Sequence, residues 1–357
     1  LDSSAGGFFA PAEEHAAPND QVQKRGNTMN SGSRYLHSVL RLLLLAAIFG
    51  AAQSRCTAQE SPQKGSASLD ANISVSKLHS LAERGDAVAQ YVLADSYLHN
   101  YSTNSNPTND EVQSAVKWLR ASAAQGNASA EYRLGYLYEH GQGVSRDYAK
   151  AMENYLAAAM QGHSSAENNL ASLYQRGQGV PKNLGEAYEW YLRSAGHGNP
   201  VGQCNLASMY YLGNGIPRDY KEAARWFRAA ADAGSAEAQN SIGVLYYKGM
   251  GVTADYAEAA RWLLLAAQHG LPGAETNLAY LYEQGKGVSQ DYVTAYNWYS
   301  RAFAAGDESA ASRRKEIAHL MTRKQINEAT SSLSEVSYQP RQPQGSPAVG
   351  AFSLLQH

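Results

Sequence analysis

Cysteine is nearly absent. Only Cys56 and Cys204 occur in 357 residues, which excludes a scaffold stapled by several disulfides. Cys56 lies at the end of a segment read below as a targeting peptide, so the mature chain is expected to hold no disulfide. Cys204 then reads as a small filler or a surface thiol. Charge is scarce as well, at 17% against the roughly 25% of a typical soluble domain. The net charge of −2 gives no attraction to nucleic acid or to an anionic membrane. The run from Leu42 to Ala52 is the notable apolar stretch, and it falls short of the about 20 residues a bilayer-crossing helix needs. Catalytic signatures are missing too. There is no Gly-x-Ser-x-Gly and no Gly-Lys-Ser/Thr. His140, His163, His197 and His269 stand one per repeat rather than at the paired spacing of a zinc site. No catalytic, metal or cofactor residue is assigned, and the chain reads as non-enzymatic.

What is present is a beat. Glycine recurs every 36 residues at Gly126, Gly162, Gly198, Gly234, Gly270 and Gly306. Twelve residues after each of the first five comes a tyrosine: Tyr138, Tyr174, Tyr210, Tyr246 and Tyr282. A Gly-x-Gly pair follows each tyrosine, from Gly141/Gly143 to Gly285/Gly287. All five tryptophans, Trp118, Trp190, Trp226, Trp262 and Trp298, precede one of the interval glycines by eight residues. Such a period means stacked copies of one supersecondary unit. With 24 Tyr against 6 Phe, the aromatics suit a thin layered structure in which a ring is buried and its hydroxyl reaches a polar group.

Within one unit, Ala130, Leu134, Leu137 and Tyr138 form one face of a helix. Gly141 and Gly143 supply left-handed backbone after it. Asp147 stands where a second helix starts, and Ala151, Tyr155, Ala158 and Ala159 give that helix its inward face. Asn183/Glu186, Asp219/Glu222 and Asp255/Glu258 predict reciprocal capping boxes. The expected fold is all-α, a solenoid of antiparallel helix pairs in which Tyr210 is a buried, fold-determining aromatic. The repeating glycine doublet does not continue to a third glycine at dinucleotide spacing and follows no strand, so it reads as helix termination.

The ends differ in kind. Residues 1–28 show no periodicity and read as an upstream extension. From Met29, Arg34, His37 and Arg41 lead into the apolar run, with small residues Cys56-Thr57-Ala58 after it, so 29–58 reads as a secretory signal peptide. Cleavage after Ala52 is the second choice. Lipidation of Cys56 is a further alternative that Arg55 fits poorly. A linker, 59–71, and an N-terminal capping helix, 72–84, precede six repeats (85–125, 126–161, 162–197, 198–233, 234–269 and 270–306). The first repeat carries a polar insertion from His99 to Asp110. Capping helices are expected over 307–330, the second starting at Thr322, and a disordered tail over 331–357.

The stretch Ala274…Leu278-Ala279…Tyr282…Gly285-Lys-Gly287-Val288…Asp291-Tyr292…Ala295…Trp298-Tyr299…Ala302…Gly306 resembles the Sel1-like repeat, a relative of the tetratricopeptide repeat. Asn154 in place of Trp and Leu184 in place of Tyr depart from its pattern. The resemblance implies a right-handed superhelix that scaffolds protein complexes, often at or beyond a membrane. Some cysteine-rich members are linked to β-lactam binding or hydrolysis. That yields one alternative, a cell-wall-related hydrolase, though the disulfide of each such repeat is missing here. A structural brace in an envelope complex is the other.

First helices usually line the inner face of such superhelices. Counting each interval glycine as one, positions 4, 8, 11 and 15 share a helical face. Arg133, Asn169, Asn205 and Asn277 at position 8, with Tyr136 and Tyr280 at position 11, are the candidate residues for binding a protein or peptide partner. The competing reading is that the asparagines bond a neighbouring helix. The location expected from the signal is secreted or periplasmic, in a bacterium.

Overall fold

The computed structural model describes residues 74–99 and 107–335. Residues 1–73 fall outside the described residues. The expected upstream extension, signal peptide and linker fall outside them, as do most of the insertion and the tail beyond Glu335.

The described residues form fifteen helices and no strand. They are α1 (Val75–Glu83), α2 (Ala87–His99), α3 (Asn109–Ala123), α4 (Ala128–His140) and α5 (Tyr148–Met160). Next come α6 (Ser164–Arg176), α7 (Leu184–Gly196), α8 (Pro200–Leu212), α9 (Tyr220–Asp232) and α10 (Ala236–Lys248). The last are α11 (Tyr256–Gln268), α12 (Pro272–Gln284), α13 (Tyr292–Ala304), α14 (Glu308–Ala318) and α15 (Arg323–Glu335). From α1 to α14 each helix packs on the next in sequence, the arrangement of an α-solenoid, and the first helices α6 and α8 also meet. Helix α15 packs back on α13 and continues past residue 330, where the caps were expected to end.

The glycines do three different jobs. Gly249 caps α10 with φ 66, its N–H donating to the Leu245 carbonyl. Gly251, at φ 72, lies so close to the first turn of α9 that an added Cβ would overlap the Tyr220 carbonyl. Interval glycines such as Gly270 (φ 73) have open space around them, so only the left-handed turn demands glycine there.

Second helices start at Asp147, Asn183, Asp219, Asp255 and Asp291, whose side chains accept first-turn N–H groups. The reciprocal boxes expected of Glu186, Glu222 and Glu258 do not form. The N–H groups of Asn183, Asp219 and Asp255 instead donate to the carbonyls of Tyr174, Tyr210 and Tyr246 at 2.9, 3.0 and 3.0 Å, closing the loop between helices. Glu222 and Glu258 pair with Arg225 and Arg261 (2.7 and 2.6 Å). Reciprocal boxes do occur at Thr108/Glu111 and Thr322/Gln325.

The largest fully buried side chains include Tyr155, Tyr191, Phe227 and Tyr299, all at position 30 of the second helix. Each sits against a small residue at position 10. A Cβ on Gly135 would stand 2.6 Å from the Tyr155 ring, and one on Gly243 2.9 Å from Leu263. Tyr210, expected in the core, is half-buried instead. It meets Tyr188 edge-on (6.0 Å, 88°), with the two hydroxyls 3.0 Å apart. Position 13 lies at the end of its helix, where the ring covers the junction between repeats rather than filling one. Cys204 is buried, as a small filler would be, but against the expectation of no disulfide it is disulfide-bonded. The other cysteine of the sequence, Cys56, lies outside the described residues.

A polar seam runs between helices at position 6. Gln161 Nε2 donates to Glu131 (2.8 Å), and Glu167 pairs with His197 Nδ1 at 2.8 Å. Glu275 receives Arg301 on Oε1 at 3.0 Å, while its buried Oε2 has no hydrogen-bond partner. Burial outweighs the arginine and pushes the Glu275 carboxyl up to about 7. The folded chain therefore holds this proton in a range where the unfolded chain has released it. Its stabilising effect is complete below pH 4.5 and is lost as pH rises to about 7. Glu275→Gln is expected to remove about 2–3 kcal/mol of that pH dependence. Urea unfolding at pH 5 and pH 8 checks this, and identical pH slopes in parent and variant would contradict it.

Candidate partner-binding face

The candidate residues fall into two groups. At the α4 end, Arg133 stands 5.7 Å from the Tyr136 ring centroid, and Tyr136 stacks on His140 with centroids 4.1 Å apart. The guanidinium, phenol and imidazole form a half-exposed column along one helix. Tyr280 on α12 is likewise half-exposed. Its ring meets Tyr247 edge-on at 6.1 Å, with Arg313 at 5.7 Å.

The asparagines bond between repeats. Asn205 Nδ2 donates to Asn168 Oδ1, and Asn277 Nδ2 to Asn240 Oδ1, each at 2.8 Å. Asn169 donates to Tyr155 Oη at 3.2 Å and accepts from Asn168 at 3.1 Å. Asn277 has 0% exposure, so it is removed from the partner-facing set: a side chain without surface cannot touch a ligand. Asn169 and Asn205 keep part of their surface. Truncating Asn277 to Ala is expected to cost about 1–3 kcal/mol, because Asn240 loses a donor where water does not reach. An unchanged thermal midpoint for Asn277→Ala would contradict the buried bond.

The periodicity missed residues at positions 7, 14 and 17 that complete this face. The Asn168–Asn205 and Asn240–Asn277 bonds join position 7 to position 8 of the following repeat, a spacing of 37. That offset is legible in the sequence once bonds across repeats are sought. At position 14, Glu139 accepts from Tyr155 Oη (2.8 Å) and pairs with Arg176 (2.6 Å). Glu283 does the same with Tyr299 (2.7 Å) and Arg313 (3.2 Å). Where position 30 is Phe227 or Leu263, position 14 is Tyr211 or Tyr247, so no hydroxyl there asks for an acceptor. Burial and the adjacent carboxylate push the Tyr155 phenol up, which keeps its proton as donor.

The charges on this face are mostly basic. Arg176 and Arg313 are engaged by Glu139 and Glu283. Lys248, half-buried at the end of α10, has its pKa lowered by burial. Lys286, at position 17 in the Gly285–Gly287 turn, donates to Tyr247 Oη at 2.7 Å, and that bond raises its pKa.

The second helices carry arginines over tryptophans, within one helix and between repeats, and also expose Leu156, Met160, Leu264 and Phe303. Arg225 and Arg261 lie over Trp226 and Trp262 at 4.2 and 4.4 Å. Arg228 reaches the next repeat, donating to Tyr246 Oη at 3.2 Å and lying 4.9 Å from Trp262. No cluster of three or more His, Cys, Asp or Glu able to hold a metal occurs among the described residues. No helix among them is long and apolar enough to cross a membrane.

A family model for the Sel1 repeat matches six consecutive units: 87–127, 128–163, 164–199, 200–235, 236–271 and 272–307. Each family unit opens two residues after a glycine. Among solved structures, the chain is similar to a protective antigen of uropathogenic Escherichia coli displaying an SLR fold, at 31% identity and TM-score 0.65. That match covers 76% of this chain and 60% of the other, so the chain spans less than two thirds of that protein. It is also similar to a Sel1 repeat protein of Oxalobacter formigenes, at 29% identity and TM-score 0.57, covering 70% of this chain and 98% of the other. No curated protein matches the sequence. Sel1-repeat proteins are generally non-enzymatic scaffolds for protein–protein interaction. With its six matching units and consecutive helix pairs, this chain belongs to the Sel1 repeat family.

Proposed function

We propose that this protein is an exported, non-enzymatic scaffold that binds a protein or peptide partner along the face of its first helices. The observation that carries the reading is the division of labour between positions. Alanines at position 26 (Ala151, Ala187, Ala223, Ala259 and Ala295) are 0% exposed in every complete repeat. Side chains at positions 8 and 11 change from unit to unit: Arg133, Asn169, Asn205, Tyr136, Ser172 and Tyr280 keep part of their surface, while Ser208, Ser241, Val244 and Asn277 are buried. Residues freed from the architecture and lined along one face are what a repeat scaffold uses for specificity. Export is supported by the basic residues and short apolar run before Cys56.

The partner-facing role is tested with Tyr136→Ala/Tyr280→Ala. Both rings are half-exposed, so the double variant is expected to keep most of its thermal stability and to lose capture of envelope proteins that the parent retains. Equal capture by parent and variant would sink the assignment to this face. Export is tested separately by fusing residues 29–58 to alkaline phosphatase, which is active only outside the cytoplasm. An inactive fusion would sink that part.

A further inference from the structure

We propose that Lys286, Tyr247 and Tyr280 form a binding site for a carboxylate carried by an acidic segment of the partner. This rests on the scaffold reading above and specifies its chemistry at one end of the face.

Three elements converge there. Tyr247 comes from the end of α10, Tyr280 from the middle of α12, and Lys286 from the turn after α12. Lys286 Nζ donates to Tyr247 Oη at 2.7 Å and stands 4.8 and 5.5 Å from the ring centroids of Tyr247 and Tyr256. The Tyr247 and Tyr280 rings meet edge-on with centroids 6.1 Å apart. An ammonium has three N–H donors and no acceptor, and each phenol has one O–H. Two of the ammonium donors remain after the bond to Tyr247 is counted. Among the described residues no carboxylate forms an ion pair with Lys286. The cluster is rich in donors and poor in acceptors.

The surrounding charge favours an anion with one negative charge. Arg313 is already committed to Glu283 (3.2 Å) and Glu316 (2.8 Å). No guanidinium fork is therefore open for the bidentate recognition that phosphate groups favour. What remains is one ammonium and phenolic hydroxyls, which match a single carboxylate. Lys248 follows Tyr247 directly and forms no ion pair among the described residues. Its burial disfavours its own charge, a cost that a nearby anion offsets. Tyr256, 42% exposed, supplies an apolar wall for the side chain flanking that carboxylate.

The test uses the full chain and three fluorescein-labelled nonapeptides that alternate leucine with glutamate, glutamine or phosphoserine. Fluorescence anisotropy reads the affinities. The glutamate peptide is expected to bind, to weaken with added salt, and to weaken roughly ten-fold on Lys286→Met. The glutamine peptide is expected to bind no better than the glutamate peptide does to that variant. Tyr280→Phe keeps the ring and removes only a hydroxyl, so it gives the same direction should Lys286→Met fail to fold. Any of four results overturns the site: no binding of the glutamate peptide, equal binding of the glutamate and glutamine peptides, parent-like binding by the variants, or binding of the phosphoserine peptide alone. If the site fails while the Tyr136→Ala/Tyr280→Ala variant still loses capture, the scaffold reading stands without it.

Discussion

Tyr191→Ala is expected to lower the stability of the repeat array by about 3–5 kcal/mol, the cost of emptying a buried aromatic site. Tyr191 is 1% exposed, and its hydroxyl donates to Gln175 Oε1 at 3.0 Å. Ala187, Ala195, Leu170 and Ala171 surround the ring in the same core cluster. Backbones held apart by helix packing cannot collapse to fill that volume. Tyr191→Phe removes only the hydroxyl and is expected to cost about 1 kcal/mol. Phe227 occupies the equivalent site in the next repeat and is 0% exposed. Tyr210→Ala is expected to cost less than Tyr191→Ala, because its ring keeps solvent contact on one side. Urea unfolding of the three variants checks the ranking. A larger loss at Tyr210 than at Tyr191 would contradict the assignment of the core to position 30.

Gly287→Ala is the second large effect. At φ 72 an L-residue is strained by about 1–2 kcal/mol. The new Cβ would also overlap the Tyr256 carbonyl at the start of α11. That contact is backbone, so it cannot rotate away, and relieving it costs a further 1–3 kcal/mol or so. Gly270→Ala meets nothing within 4 Å, so only the φ strain applies. The difference between the two variants in thermal unfolding isolates the close approach between repeats. Equal losses would show that the second glycine of the doublet serves only the turn.

The architecture was legible because helical periodicity and left-handed glycines act locally. Asp219 caps α9 as its side-chain chemistry dictates. Glu222 does not complete the box, because the Asp219 N–H is taken by the Tyr210 carbonyl across the loop, a contact invisible to local reasoning. Tyrosine recurs in all five units at the position of Tyr210 but in only three at that of Tyr191, so regularity favours the junction residue, and only packing identifies the core. The candidate face was legible in part. Arg133, Tyr136 and Tyr280 stand half-exposed as helical geometry predicts, while Asn277 is drawn inside by Asn240 one repeat earlier. Lys286 escaped notice because it sits in a turn between two glycines already explained by the fold.

The central claim is that the first-helix face meets the partner and the outer side of the second helices does not. Site-specific photo-crosslinking in cells measures this directly, with a benzophenone residue placed at Tyr136, at Tyr280 or, as the opposite-face control, at Leu264. Adducts of one common partner at positions 136 and 280, with none at 264, are the predicted result. Adducts of that partner at 264 alone would contradict it.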